Sequence, residues 1–220
     1  MRLLYLNPNS TEAMTKSMVA VARAALMDAN VSGWTNLLGP PAIQGPEDGE
    51  VALEGLLSLL PRARAAAVDV IAIGCFDDTG LSQIRVAAHC PVIGIGQAAM
   101  SLASVRSDRF GIVTTLDASV PVIAANVDVY GHRQACVGVF ASGLPVLEVE
   151  QGGREVEDRL AMTIADAKAA GAGAVVLGCA GMSGLRQRLS DRTGAVLIDG
   201  VVASAFMSQA VSAHDDARNP

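Results

Sequence analysis

Cys75 and Cys179 stand in similar surroundings, IAIGCFDDTG and VVLGCAGMSG, each closing a short apolar run and each preceded by glycine. A thiolate can take a proton from a carbon beside a carbonyl, and a thiol can return one. Two such groups on opposite faces of one stereocentre would racemise it, one acting as base and the other as acid. Residues 70 to 101 lie over 174 to 205 without a gap, matching Gly74 to Gly178, Cys75 to Cys179, Gly80 to Gly184, Gln83 to Gln187, Val92 to Val196 and Gly96 to Gly200. This constant offset, near half the chain, predicts two similar β/α halves with one cysteine loop each. A redox pair is disfavoured, because no C-x-x-C spacing occurs.

The elements that must hold these loops are legible as apolar runs. RLLYLN, VDVIAIG, PVIGIG, RFGIVTT, ACVGVF, GAVVLG and AVLIDG read as buried parallel strands, and helical patterns fill the gaps between them. The fold class is α/β, with two pseudo-symmetric lobes, each a mostly parallel sheet flanked by helices. Asn9 and Glu12 resemble a capping box opening a first helix over about 10 to 28. Leu53, Leu56, Leu57 and Leu60 mark a second helix, and Val156, Leu160, Ile164 and Ala167 its counterpart. The cysteine loops are expected to enter helices near Thr79 and Ser183. Both thiols would then sit by helix N-termini, where the positive end of the dipole lowers a thiol pKa. Asp77 and Asp78 read chiefly as a solvated loop or helix-start pair. The terminal AHDDARNP is polar and expected to fray.

Composition narrows the function classes. The 220 residues are 51% hydrophobic with a net charge of -6, enough for a substantial core and the wrong sign for a nucleic-acid partner. No run is long enough to span a membrane, and four cysteines in a chain of this size fit a reducing cytoplasm better than a disulfide scaffold. Lys16 and Lys168 lie away from strand ends, which disfavours pyridoxal chemistry. His89, His132 and His214 share no ligand spacing with the thiols, so no metal site is expected. Cys90 and Cys136 lack a register partner and read as packing residues.

The opening strand with NPNST, then GPPAIQGPED, GCFDDTGL, TTLDASVPV, GCAGMSGL and AVLIDG occur in this order from about Arg2 to Ala210. As a set they resemble the Asp/Glu racemase superfamily, in its hydantoin and allantoin racemase branch. The resemblance implies an active site between two α/β lobes, no cofactor or metal, and a homo-oligomer. It implies catalytic roles for Cys75 and Cys179, and substrate-lining positions at Asn7, Ile43, Phe76, Thr114, Thr115, Gly178 and Ala180. Lobe 1 is expected to comprise 1–96 with 200–220, and lobe 2 to comprise 97–199.

A dicarboxylic substrate would call for a cation, and neither cysteine loop carries one, which favours a neutral ring such as a 5-substituted hydantoin or allantoin. The segment GLPVLEVE could cover the pocket and distinguish the two. An aspartate or glutamate racemase, or a related decarboxylase or isomerase, is the alternative within the superfamily. A small-molecule-binding module without turnover is the alternative outside it, and would have no need of two registered thiols.

Overall fold

The computed structural model describes residues 1–216. The first half runs β1 (Arg2–Asn7), α1 (Glu12–Ala25), β2 (Asn30–Thr35), α2 (Pro46–Ala65), β3 (Val70–Ile73), α3 (Leu81–Ala87), β4 (Val92–Gly94) and α4 (Ile95–Arg106). The second runs β5 (Phe110–Thr114), α5 (Val120–Val129), β6 (Cys136–Ala141), α6 (Val146–Gln151), α7 (Arg154–Ala169), β7 (Ala174–Leu177), α8 (Arg186–Thr193), β8 (Leu197–Asp199) and α9 (Gly200–Asp216). Two four-stranded sheets result, ordered β2-β1-β3-β4 and β6-β5-β7-β8, with every pairing parallel. Each forms the centre of one lobe.

Both faces of each sheet are covered, so its central strands alternate between two apolar environments rather than between core and water. In β1, Leu3 and Tyr5 face α1 and α9. Leu4 and Leu6 face α2 and α3. In the second sheet, Val175 and Leu177 pack towards α6, α7 and α8, while Ala174 and Val176 pack with α4 and α5. The central helices are exchanged. Met100 and Ala103 of α4, which follows the last strand of the first sheet, join the core of the second, while Ile95 and Ala98 at its start stay with the first. Val201 and Ala205 of α9, which follows the last strand of the second, join the core of the first. Buried Tyr5 fastens the latter exchange by donating its hydroxyl to the Val201 carbonyl at 2.9 Å, beside Ser204 Oγ at 2.9 Å.

Four expectations need correction. The edge strand β2 escaped the apolar-run criterion because only Val31 in NVSGWT is buried. The first helix begins at Glu12 without a capping box. Asn9 Oδ1 is instead occupied by the Thr11 N–H and by Asn7 Nδ2, both at 2.9 Å. The repeat register slips by one residue after the cysteine loops: Ile71 pairs with Val92, but its counterpart Val175 pairs with Leu197, not Val196. The tail expected to fray from Ala213 is helical to Asp216, and 217–220 lie outside the described residues.

Candidate active site

Parallel sheets present their ligands beyond the carboxyl ends of the strands. Here β3 and β7 deliver Cys75 and Cys179 to such ends, two residues after Ile73 and Leu177. The glycine before each cysteine lets the loop lie against the next strand. Gly74 donates its N–H to the Leu6 carbonyl at 2.8 Å, and Gly178 to that of Val113 at 2.7 Å. A Cβ at Gly178 would stand 2.7 Å from the same Val113 oxygen, and one at Gly74 2.8 Å from Met18 Sδ. Neither close approach tolerates a side chain without movement.

Both cysteines line one cavity between the lobes, of about 340 Å³ including its mouth. Gly74, Cys75, Phe76 and Asp77 line it from the loop after β3, and Gly178, Cys179 and Ala180 from the loop after β7. Ile43 and Thr115 close it further, so seven of the nine expected site residues meet there. Asn7 and Thr114 do not reach it. They stand at the ends of β1 and β5 and work one layer back. Asn7 Nδ2 donates to Asn9 Oδ1, to the Thr11 carbonyl and to Thr15 Oγ1, shaping the NPNST turn. Thr114 Oγ1 donates to the Gly178 carbonyl at 3.2 Å, bracing the second cysteine loop. Thr114 and Thr115 are consecutive at a strand end, and successive side chains point to opposite sides, so one faces the protein when the other faces the cavity.

The cavity also holds residues that the sequence reading did not assign to it: Asn9, Met14, Asp77, Ser119 and Val146. A signal existed for some of them. Asn9 lies in NPNST, Ser119 in TTLDASVPV, and Val146 opens α6 within GLPVLEVE. That segment does form part of the wall, and it is tied across the molecule by Val146 N–H donating to Gln44 Oε1 at 3.1 Å.

The electrostatics reverse one expectation. The thiols are pushed up, not down: Cys75 well above the ordinary thiol value, by burial first and then by the Asp77 carboxylate. Cys179 is pushed up to about 12 by burial, opposed by the Gly181 and Met182 N–H groups and reinforced by Asp77 and Glu150. The two thiols also sense one another's charge. A helix does not follow Cys75 directly, since α3 begins only at Leu81 after a left-handed Gly80. Cys179 caps a single 3-10 segment, Ala180–Leu185. Desolvation outweighs those few dipoles.

Asp77 and Asp78 are not a solvated pair. Asp78 is buried, accepting N–H bonds from Gly96 at 2.9 Å and Gln97 at 2.8 Å and the Tyr130 hydroxyl at 2.8 Å. Burial raises its carboxyl to about 6. Asp77 is raised to about 7 by burial and by Asp78, with the Ser119 hydroxyl opposing. Cys90 and Cys136 are partly buried beside the cores and do not line the cavity.

A family model described as Asp/Glu/Hydantoin racemase matches residues 3–207. The chain belongs to this family. Within it, a hydantoin racemase of Rhizobium meliloti is 42% identical over 215 residues, covering 96% of this chain and 88% of that one. The structure of an allantoin racemase from Klebsiella pneumoniae superposes with a TM-score of 0.93 at 35% identity, covering 98% of this chain and 89% of that one. A glutamate racemase from Francisella tularensis shares the fold, with a TM-score of 0.73 at 15% identity over 98% of this chain and 82% of that one. The two-lobed α/β architecture is thus that of racemase structures.

Proposed function

We propose that this protein racemises the C5 centre of a hydantoin-type ring, allantoin included, with Cys75 and Cys179 as its two acid–base groups. The carrying observation is that both thiols line one cavity from opposite lobes, on loops that leave equivalent strands. In one direction a cysteine thiolate removes the C5 proton. The electron pair moves onto the adjacent carbonyl to give an enolate, and the opposite thiol donates its proton to the other face. The bond to hydrogen has then broken on one side and formed on the other, and the thiolate has changed residue.

Burial suits this chemistry, because a thiolate lacking water is a stronger base towards a weak carbon acid. The cavity lining contains no Lys or Arg and one carboxylate, Asp77. That favours a neutral ring over an amino acid whose carboxylate would need a cation. The kinship to hydantoin and allantoin racemases supports the same substrate class. Ile43, Phe76, Thr115, Gly178 and Ala180 form the ring's surroundings on this reading, while Asn7 and Thr114 are positioning residues. On this reading the lobes that meet there are 1–96 with 200–220, and 97–199, of which 217–220 lie outside the described residues.

The reading includes a cofactor-free homo-oligomer in the cytoplasm. Four free cysteines fit a reducing compartment. No helix among the described residues is long and apolar enough to cross a membrane. Polarimetry of enantiopure 5-substituted hydantoins and allantoin, in the presence of a strong chelator, tests the whole proposal. Optical rotation should decay to zero with chelator present. A rotation that stays constant for every ring tried, or a decay that stops on chelation and resumes with zinc, would refute it.

A further inference from the structure

A racemase that holds its ring between two thiols must also place whatever else C5 carries. The cavity between the cysteines shares Ile43 and Asp77 with a second cleft of about 630 Å³ including its mouth. This cleft lies among α2, the loop after Cys75 and α5. The fold contains a comparison within itself. Ser183, Gly184 and Gln187 match Thr79, Gly80 and Gln83 in the repeat, and they line a cleft of their own. That counterpart shares no residue with the thiol cavity. Neither do the clefts beside Met162 and beside Trp34. The pseudo-symmetry is therefore broken where a substituent needs room.

We propose, building on the racemase reading, that the cleft beside Ile43 and Asp77 receives the C5 substituent and selects neutral, amide- or urea-ended groups over carboxylates. Its apolar lining is Ile43, Pro46, Leu53 and Val122, against which a short aliphatic stem would lie. Its polar lining is Glu50, Thr79 and Gln83, besides Asp77 and Asp78, and it contains no cation. Thr79 offers the cleft its methyl group, 3.6 Å from where a Cβ at Gly49 would stand, while its buried hydroxyl lies beside the Cys75 thiol. The N–H groups of a ligand amide or urea can donate to the exposed Glu50 carboxylate, which an apolar or anionic group cannot do. A carboxylate would instead meet the carboxyl groups of Glu50 and Asp77 with no compensating charge. Inversion carries the substituent through the plane of the ring as the hydrogen passes from one thiol to the other, so the cleft has to admit the stem on both sides of that plane.

Three substrates and two wall variants test this: the hydantoins bearing methyl, 2-carbamoylethyl and 2-carboxyethyl at C5, and Gly49→Phe and Val122→Phe. A Cβ at Gly49 would make ordinary contact with Thr79 Cγ2 at 3.6 Å, so a phenyl group there grows into the cleft from α2, and one at Val122 from α5. In the wild type, kcat/KM for the amide should exceed that for the nearly isosteric acid by about tenfold or more. In each variant the ratio of carbamoylethyl to methyl should fall by about tenfold. The two rates come from one preparation, so partial misfolding cancels. Exposed Glu50→Lys should raise the acid relative to the amide severalfold and serves as a variant without steric demand. Equal losses for both substrates would mean that the cleft is only the way in, and would overturn the proposal, as would a wild type that prefers the acid. Racemisation of the methyl compound with unchanged ratios sinks the substituent cleft alone. Racemisation of none of the three sinks the racemase reading and the cleft with it.

Discussion

At the scale of residues, the two thiols divide one task, and their division can be measured. Cys75→Ser and Cys179→Ser should each lower racemisation by several orders of magnitude, since every turnover needs one acid and one base. Each variant keeps one competent face, so deuterium from solvent should enter mainly one enantiomer, the opposite one in the two variants, as followed by NMR. Equal exchange into both by either variant would mean that one residue serves both faces. The raised thiols set a pH dependence: the thiolate fraction grows with pH, so kcat/KM should climb from neutral into alkaline solution. Asp77, ionised above about 7, opposes both thiolates. Asp77→Asn should therefore move the climb to lower pH, and a profile that stays in place would show that this carboxylate does not govern the thiols. The cysteines were legible in the sequence because repeat register is a one-dimensional property. The depth of Asp77 and Asp78 was not, because chain segments far from GCFDDTG, around Gly96, Ser119 and Tyr130, bury and bond them.

At the scale of elements, carboxylates cap the two central helices by different routes. Asp199 sits just before α9 and accepts the Val201 and Val202 N–H groups at 2.7 and 3.1 Å. The start of α4 has no such residue, and Asp78 reaches it from the cysteine loop. The loop that carries Cys75 is thereby fixed to a helix of the opposite core and, through the Tyr130 hydroxyl, to the end of α5. Tyr130→Phe should lower unfolding free energy by about 1.5 to 3 kcal/mol, the worth of a hydrogen bond to a charged group. Asp78→Ala should cost more, and urea denaturation of both variants checks the order. Strands closed in by helices on both sides announced themselves as apolar runs. β2 did not, since an edge with one buried residue has no such run, and Asn9 was misassigned because a turn and a helix cap attract the same residue type.

At the scale of the whole molecule, burial of carboxylates makes stability depend on pH in an unusual direction. Asp78 titrates near 6 in the folded protein against 3.8 for the free group, so between those values the native state binds more protons and loses stability as pH rises. About 2 to 3 kcal/mol is at stake for a shift of that size. Asp77, Glu150 and Asp199 are displaced in the same direction, with Asp69 opposing. Melting temperature should fall between pH 4.5 and pH 7, and Asp78→Asn should flatten the slope; a wild-type curve rising over that interval would contradict this account. The duplication was readable because the cysteine loops keep their spacing, while the one-residue slip before β8 emerges only from strand pairing. The exchange of α4 and α9 has a consequence for synthesis. A ribosome has delivered every element of the second core once β8 emerges, whereas the first core still waits for Val201 and Ala205, near the end of the chain. The half that is translated first is completed last, and a released chain truncated after Asp199 should present a protease-sensitive N-terminal half beside a resistant C-terminal one.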